Sequence, residues 1–111
     1  MVVARLVNWC IGVEINYEHF MARLERTFKV LGNQRRLAIL RLLLAKKRLM
    51  VADIADEIKL SFTSTSKHLR LLDHQGLVEP EAVSRFVYYR LRQPDSPTIK
   101  TLLDIVAHSR E

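Results

Sequence analysis

A chain of 111 residues, 49% of them hydrophobic and 27% charged, suits one small domain with a single thin core. Its 18 Lys and Arg against 12 Asp and Glu leave a formal charge of +6, which favours polyanionic partners, nucleic acid before an anionic membrane. The one cysteine, Cys10, excludes an intrachain disulfide, and charges interrupt every apolar run before it reaches membrane-spanning length.

The opening, MVVARLVNWCIGV, carries Arg5 inside its apolar stretch and has no small-x-small cleavage site, so it is not read as a signal peptide. Val3, Leu6, Val7 and Cys10 recur at helical spacing before Gly12, which predicts a short N-terminal helix. Val2-Val3 and Ile11 to Ile15 fit an extended chain as the alternative. Residues 1–16 are taken as an extension and 17–111 as the domain proper. A helix is expected from Tyr17 to Leu31, with Phe20, Leu24, Thr27, Phe28 and Leu31 as its apolar stripe and Gly32 as its stop. Asn33 is placed to cap the next helix, which turns Leu37, Leu40, Leu43 and Leu44 inward beside Ala38 and Ile39 and ends near Lys46 or Lys47. From Asn33 to Met50 the chain has Arg35, Arg36, Arg41, Lys46, Lys47 and Arg48 and no acid. The ordinary reading of such a run is a solvated face, with the last three cations complementing a helix C-terminus.

Leu49 to Val51 is β-capable and is expected as a third strand beside a later hairpin. Ala52, Ile54, Ala55 and Ile58 give a short helix its buried side. A tight turn at Lys59-Leu60 follows, and Ser61 then caps a second helix whose inward residues are Thr65, Leu69 and Leu72. Gly76 stops it. Two strands are predicted, Leu77 to Ala82 and Phe86 to Leu91, with Val78, Phe86, Tyr88 and Leu91 making the hairpin contacts and Pro80 confining the first strand to an edge. Ser96-Pro97 reads as a cap followed by proline at the first helical position, opening a last helix to about His108 with Ile99, Leu102, Leu103, Val106 and Ala107 on its apolar face.

Helix, turn, helix and hairpin is the layout of a winged helix-turn-helix: mainly α, with a small β-hairpin wing. The B-DNA major groove admits one α-helix, and the helix that enters it needs small polar groups and cations towards its N-terminal half. Helix 61–75 offers Thr63, Ser66 and Lys67 for base edges, and Ser61, Ser64, His68 and Arg70 for phosphates or caps. Phe62 suits either a thymine methyl or packing on the neighbouring helix. Arg85 falls at the tip of the 82–86 wing, where it either reaches an adjacent groove or phosphate or is a solvated turn residue. Glu79 and Glu81 repel phosphate, so only the tip is expected to approach DNA. A serine- and threonine-rich helix start alone is no more than a capped helix; the hairpin, Gly76 and the basic balance turn the reading towards DNA.

Three segments in order carry a family likeness. Phe28-Lys29-Val30-Leu31-Gly32-Asn33-Gln34-Arg35-Arg36-Leu37-Ala38-Ile39-Leu40, Ser61 to Val78, and Arg85-Phe86-Val87-Tyr88-Tyr89-Arg90-Leu91 resemble the corresponding parts of ArsR/SmtB-type repressors, over roughly Glu25 to Leu91. The resemblance implies a cytoplasmic homodimeric repressor of double-stranded DNA, dimerised through helices 17–31 and 97–108 and reading an inverted repeat. Departures are Ser84, where the family often has glycine, Phe62 in place of a frequent glutamine, and the first sixteen residues, expected to pack on the dimer helices.

The family's sensor sites are incomplete. VADIADEI holds no thiol for the Cys-x-Cys metal site, and a site built on the last helix would draw on Asp95, His108 and Glu111 with Pro97 in a position that cannot ligate. No cofactor is expected, and Cys10 reads best as a small buried hydrophobe. No phosphate-binding glycine loop or nucleophile constellation marks an enzyme. A winged-helix protein-interaction module without sequence-specific DNA binding is the alternative, and a membrane-surface role for Trp9 and Arg5 ranks behind both.

Overall fold

The computed structural model describes residues 5–7 and 14–109. Two strands, β1 (Arg5–Val7) and β2 (Glu14–Asn16), pair antiparallel and lie beside α1 (Tyr17–Leu31). Then come α2 (Gln34–Lys46), β3 (Arg48–Met50), α3 (Val51–Ile58), α4 (Phe62–His74), β4 (Val78–Val83), β5 (Phe86–Leu91) and α5 (Pro97–His108). The second sheet runs β3-β5-β4, all antiparallel. This is a winged helix-turn-helix, with β3 as the extra strand of the wing. No helix among the described residues is long and apolar enough to cross a membrane.

The helices start and stop where local chemistry dictates. Extended Asn33 (φ −150°, ψ 124°) accepts through Oδ1 from the N–H groups of Arg35 at 2.9 Å and Arg36 at 3.2 Å. Ser61 Oγ takes the N–H of Ser64 at 3.1 Å, and Ser96 Oγ that of Ile99 at 3.2 Å ahead of Pro97. Each cap satisfies donors that the first helical turn leaves orphaned. Gly76 takes φ 75°, a region open to glycine, and lets the Leu77 N–H return to the Leu72 carbonyl at 3.0 Å.

α2 is the hub. Its Ile39, Leu40 and Leu43 are buried, and α1, α3, α4, α5 and β5 all pack around it. Leu31, Ile54, Leu69, Leu72, Leu77, Val78 and Leu103 complete the core. β4 fades from buried Val78 to exposed Val83, so the hairpin leans on the helices at its base and leaves its tip in solvent. Pro80 lies on β4, an edge strand, as expected.

Several expectations need correction. Arg5–Val7 is strand, not helix, while Glu14–Asn16 is extended as the alternative allowed; the rest of the expected N-terminal helix, with Cys10 and Trp9, lies outside the described residues. The first wing strand is shifted by one residue, to Val78–Val83. Tyr89 and Leu91, two apart and so on one face, pack on the core, whereas Phe86 is exposed. Leu37 and Ala52, expected to face inward, are exposed as well. A 3.6-residue period marks an apolar stripe but not its width, and one small core covers only the centre of each stripe.

At the wing tip Ser84 has φ 58°. A non-glycine residue there costs roughly 1–2 kcal/mol. Ser84→Gly is therefore expected to raise stability by about 1 kcal/mol, less the unfolded-state entropy that glycine adds. A urea titration measures it, and a lower midpoint for the variant contradicts the strain.

Candidate nucleic-acid interface

α4 has two faces of opposite character. Thr65, Leu69 and Leu72 are fully buried and fix the helix to the core. On the opposite side stand Thr63, Lys67 and Arg70, spaced four and three residues apart so that they lie over one another, and all three are exposed. Ser66 flanks them, half-buried, and Ser61 and Phe62 open the helix in solvent, Phe62 at 59% exposure. More than half of the Phe62 side chain is therefore open to solvent. Ser64 is half-buried beside its cap. The outcome is a row of hydroxyls and two cations on an element whose first-turn N–H groups also point outward, suited to anionic backbone and acceptor-rich base edges.

His68, the middle residue of α4, turns the other way. It is half-buried, and its Nδ1 accepts a hydrogen bond from Arg36 Nε at 3.2 Å. Burial first, then the Arg36 and Arg35 charges, hold its pKa below the usual 6.5. The imidazole is thus neutral at pH 7 and acts as an acceptor. A lowered histidine means that the folded chain takes up this proton less readily than the unfolded one. Its share of stability is intact above pH 6.5 and is lost as pH falls from there through the folded value. His68→Gln should flatten that acid-side decline, as read from urea midpoints between about pH 8 and pH 5. An acid limb as steep as that of the unsubstituted chain contradicts the assignment.

Three arginines of the basic run from Arg35 to Arg48 are engaged within the chain. Arg35 donates to the Ile58 carbonyl at 3.3 Å, closing the C-terminus of α3. Arg36 donates to the Val30 carbonyl at 3.0 Å and the Lys29 carbonyl at 3.5 Å, closing that of α1. Cations at helix C-termini meet orphan carbonyls and the negative dipole end together. Arg48 lies over the Tyr88 ring at 4.9 Å and on Glu81 at 2.6 Å.

Register places Glu79 opposite Arg90, and Arg90 bridges Glu79 at 2.9 Å and Glu81 at 3.1 Å. Arg92 adds a 3.8 Å contact to Glu79. Both acids are thus ion-paired within the sheet. As half-exposed pairs they contribute at most about 1 kcal/mol each to stability. Arg85 stands at the exposed turn, its guanidinium 5.6 Å from the Phe86 ring, about 17 Å along β4 from the hairpin base.

The metal site sketched by the sequence is not assembled within the chain. Asp95 precedes α5 and His108 ends it, roughly 18 Å apart for a helix of this length. His108 Nδ1 faces the Asp104 carbonyl at 2.8 Å, and Glu111 lies outside the described residues. No group of three or more His, Cys, Asp and Glu suited to a metal occurs among the described residues. Asp95 and His108 of one chain are therefore too far apart to bind one ion together.

Known proteins share this arrangement. Residues 33–80 match the bacterial regulatory protein family arsR. A cadmium resistance transcriptional regulatory protein CadC homolog from Staphylococcus aureus is 33% identical over 87 residues, covering 78% of this chain and 69% of that protein. The chain spans about half of the CadC regulator of Listeria innocua, matching 55% of its length at 37% identity. The transcriptional activator HlyU of Vibrio cholerae is 32% identical over 70% of this chain and 68% of its own. The structure of reduced HlyU superposes with a TM-score of 0.68 at 30% identity, over 81% of this chain and 90% of HlyU. A homodimeric winged helix-turn-helix DNA-binding domain from Mycobacterium bovis gives a TM-score of 0.67 at 31% identity, over 80% and 79% of the two chains.

Proposed function

This chain belongs to the arsR family of bacterial regulatory proteins and is a winged-helix transcriptional regulator, and from that premise we propose that it is a homodimeric repressor reading an inverted repeat in double-stranded DNA. The observation that carries the reading is the exposed Thr63–Lys67–Arg70 face of α4, set diametrically opposite the buried Thr65, Leu69 and Leu72. In this reading Thr63, Ser66 and Lys67 meet base edges, Ser61, Ser64 and Arg70 meet phosphates, Phe62 meets a thymine methyl, and Arg85 reaches the flanking backbone. A dimer seated in two successive major grooves occupies the site against other proteins, and chromosomal DNA places it in the cytoplasm.

The uncovered apolar surface supports the dimer. α1 buries Leu31 alone and leaves Phe20, Met21 and Phe28 exposed, and α5 leaves Ile105 exposed. A groove lined by Phe20, Leu24, Thr27 and Ile99 runs between these helices. The homodimeric M. bovis domain supports the same choice. Residues 1–16 are proposed to extend this interface, since β1 and β2 lie beside α1.

Selection of bound DNA from a random duplex pool, followed by a footprint, tests the proposal. The expected result is an inverted repeat with two protected half-sites about 10 base pairs apart centre to centre. Recovery of no preferred sequence, together with capture of a protein partner, favours the protein-interaction alternative and counts against this one.

A further inference from the structure

One guanidinium joins three helices. Arg36 sits in the first turn of α2, with its backbone N–H held by Asn33 Oδ1 at 3.2 Å. Its Nη1 holds the Val30 and Lys29 carbonyls in the last turn of α1, and its Nε holds His68 at the middle of α4. α1 is the helix proposed to dimerise and α4 the helix proposed to read DNA, yet the two share no extensive direct packing. Arg36 is a polar strut between them, and its planar fork fixes direction as well as distance.

We propose that Arg36, acting through His68, is the positioning residue that sets the angle of α4 on the dimer helix and so fixes the half-site spacing that the protein accepts. This role presupposes the DNA reading proposed above. Two recognition helices matched to grooves one turn apart, about 34 Å, tolerate little rotation, because a shift of one base pair displaces a half-site by about 3.4 Å and turns it about the duplex axis. Apolar packing by Leu69 and Leu72 holds α4 against the core, and the hydrogen bond at its midpoint adds a directional constraint that ties it to Arg36. Neither Arg36 nor His68 need touch DNA for this.

The test compares affinities for the selected operator and for versions with one base pair added to or removed from the spacer. The unsubstituted protein should lose about tenfold or more on either change. Arg36→Ala and His68→Leu should bind the native spacing about tenfold more weakly and should discriminate between spacings by less than about threefold. His68→Gln keeps an acceptor and should retain the native preference. A general loss of folded protein lowers all spacings together and leaves their ratio unchanged, so the ratio separates positioning from stability. If Arg36→Ala loses its cooperative unfolding transition, Arg36→Lys and His68→Leu carry the same comparison. Variants that keep the native spacing ratio overturn the inference while leaving the DNA-reading proposal standing. An unsubstituted protein that prefers no spacing and no sequence overturns that proposal instead.

Discussion

Ile105→Asp is expected to turn the protein into a monomer and to weaken operator binding by roughly a hundredfold or more. Ile105 is 57% exposed on α5 and has no part in the core, so in the proposed dimer a second copy would cover it. A symmetric dimer brings the substitution in twice. Each aspartate would have to leave water for an apolar interface, at a cost of several kcal/mol unless it is paired. Within the chain nothing is lost, so the urea midpoint extrapolated to low protein concentration should hardly move. Sedimentation at micromolar concentration gives the answer, with Ile105→Leu as the control that stays dimeric. A dimeric Ile105→Asp protein that still binds its operator would remove α5 from the interface.

Leu69→Ala should cost about 2–5 kcal/mol, the usual range for emptying a leucine site in a packed core. Against a total of roughly 5–15 kcal/mol for a domain of this kind, that is a large fraction. Leu69 is fully buried at the centre of the inner face of α4, between Thr65 and Leu72. Thr65 already carries a buried hydroxyl with no hydrogen-bond partner among the described residues, so the α4 anchorage rests on its apolar groups. The exposed neighbour Arg70→Ala should stay within about 0.5 kcal/mol of the unsubstituted chain. Urea unfolding of both variants checks the contrast. Equal, small losses would mean that α4 is not held by this face.

These two expectations show which parts of the chain can be read without a structure. Caps and stops are local: Asn33, Ser61, Gly76 and the Ser96-Pro97 pair act on residues within a turn of themselves, and each lies where the sequence places it. The inner face of α4 follows from a period that burial obeys. Contacts between distant segments have no such signature. Arg36 and His68 are 32 positions apart, and each looks like a surface residue until the packing of α2 on α4 brings them together. The neutralisation of Glu79 and Glu81 depends on strand register, which the sequence leaves open by a residue at the start of β4. The exposed side of α1 illustrates another limit. Phe20 and Phe28 belong to the apolar stripe and are exposed in the single chain, and a stripe does not say whether its partner is the same chain or another.

The family expectation at the wing has a physical basis too. Glycine is common at the turn because the turn needs a positive φ, and Ser84 adopts it at 58°. The start of α5 is equally local in its chemistry. Pro97 serves as the first residue of α5, a structural role that a ligating side chain in its place would give up.

Selecting bound DNA from one random pool with the unsubstituted protein and with Lys67→Ala, side by side, tests most directly whether α4 reads bases. Lys67 lies at the centre of the exposed face, between Thr63 and Arg70. The expected result is a single inverted repeat for both, with the preference relaxed at one symmetric position in each half-site, a loss of about 1–3 kcal/mol of discrimination there. An unchanged preference at every position, with affinity lowered equally for all sequences, would make Lys67 a phosphate contact and would contradict the base-reading assignment of this face.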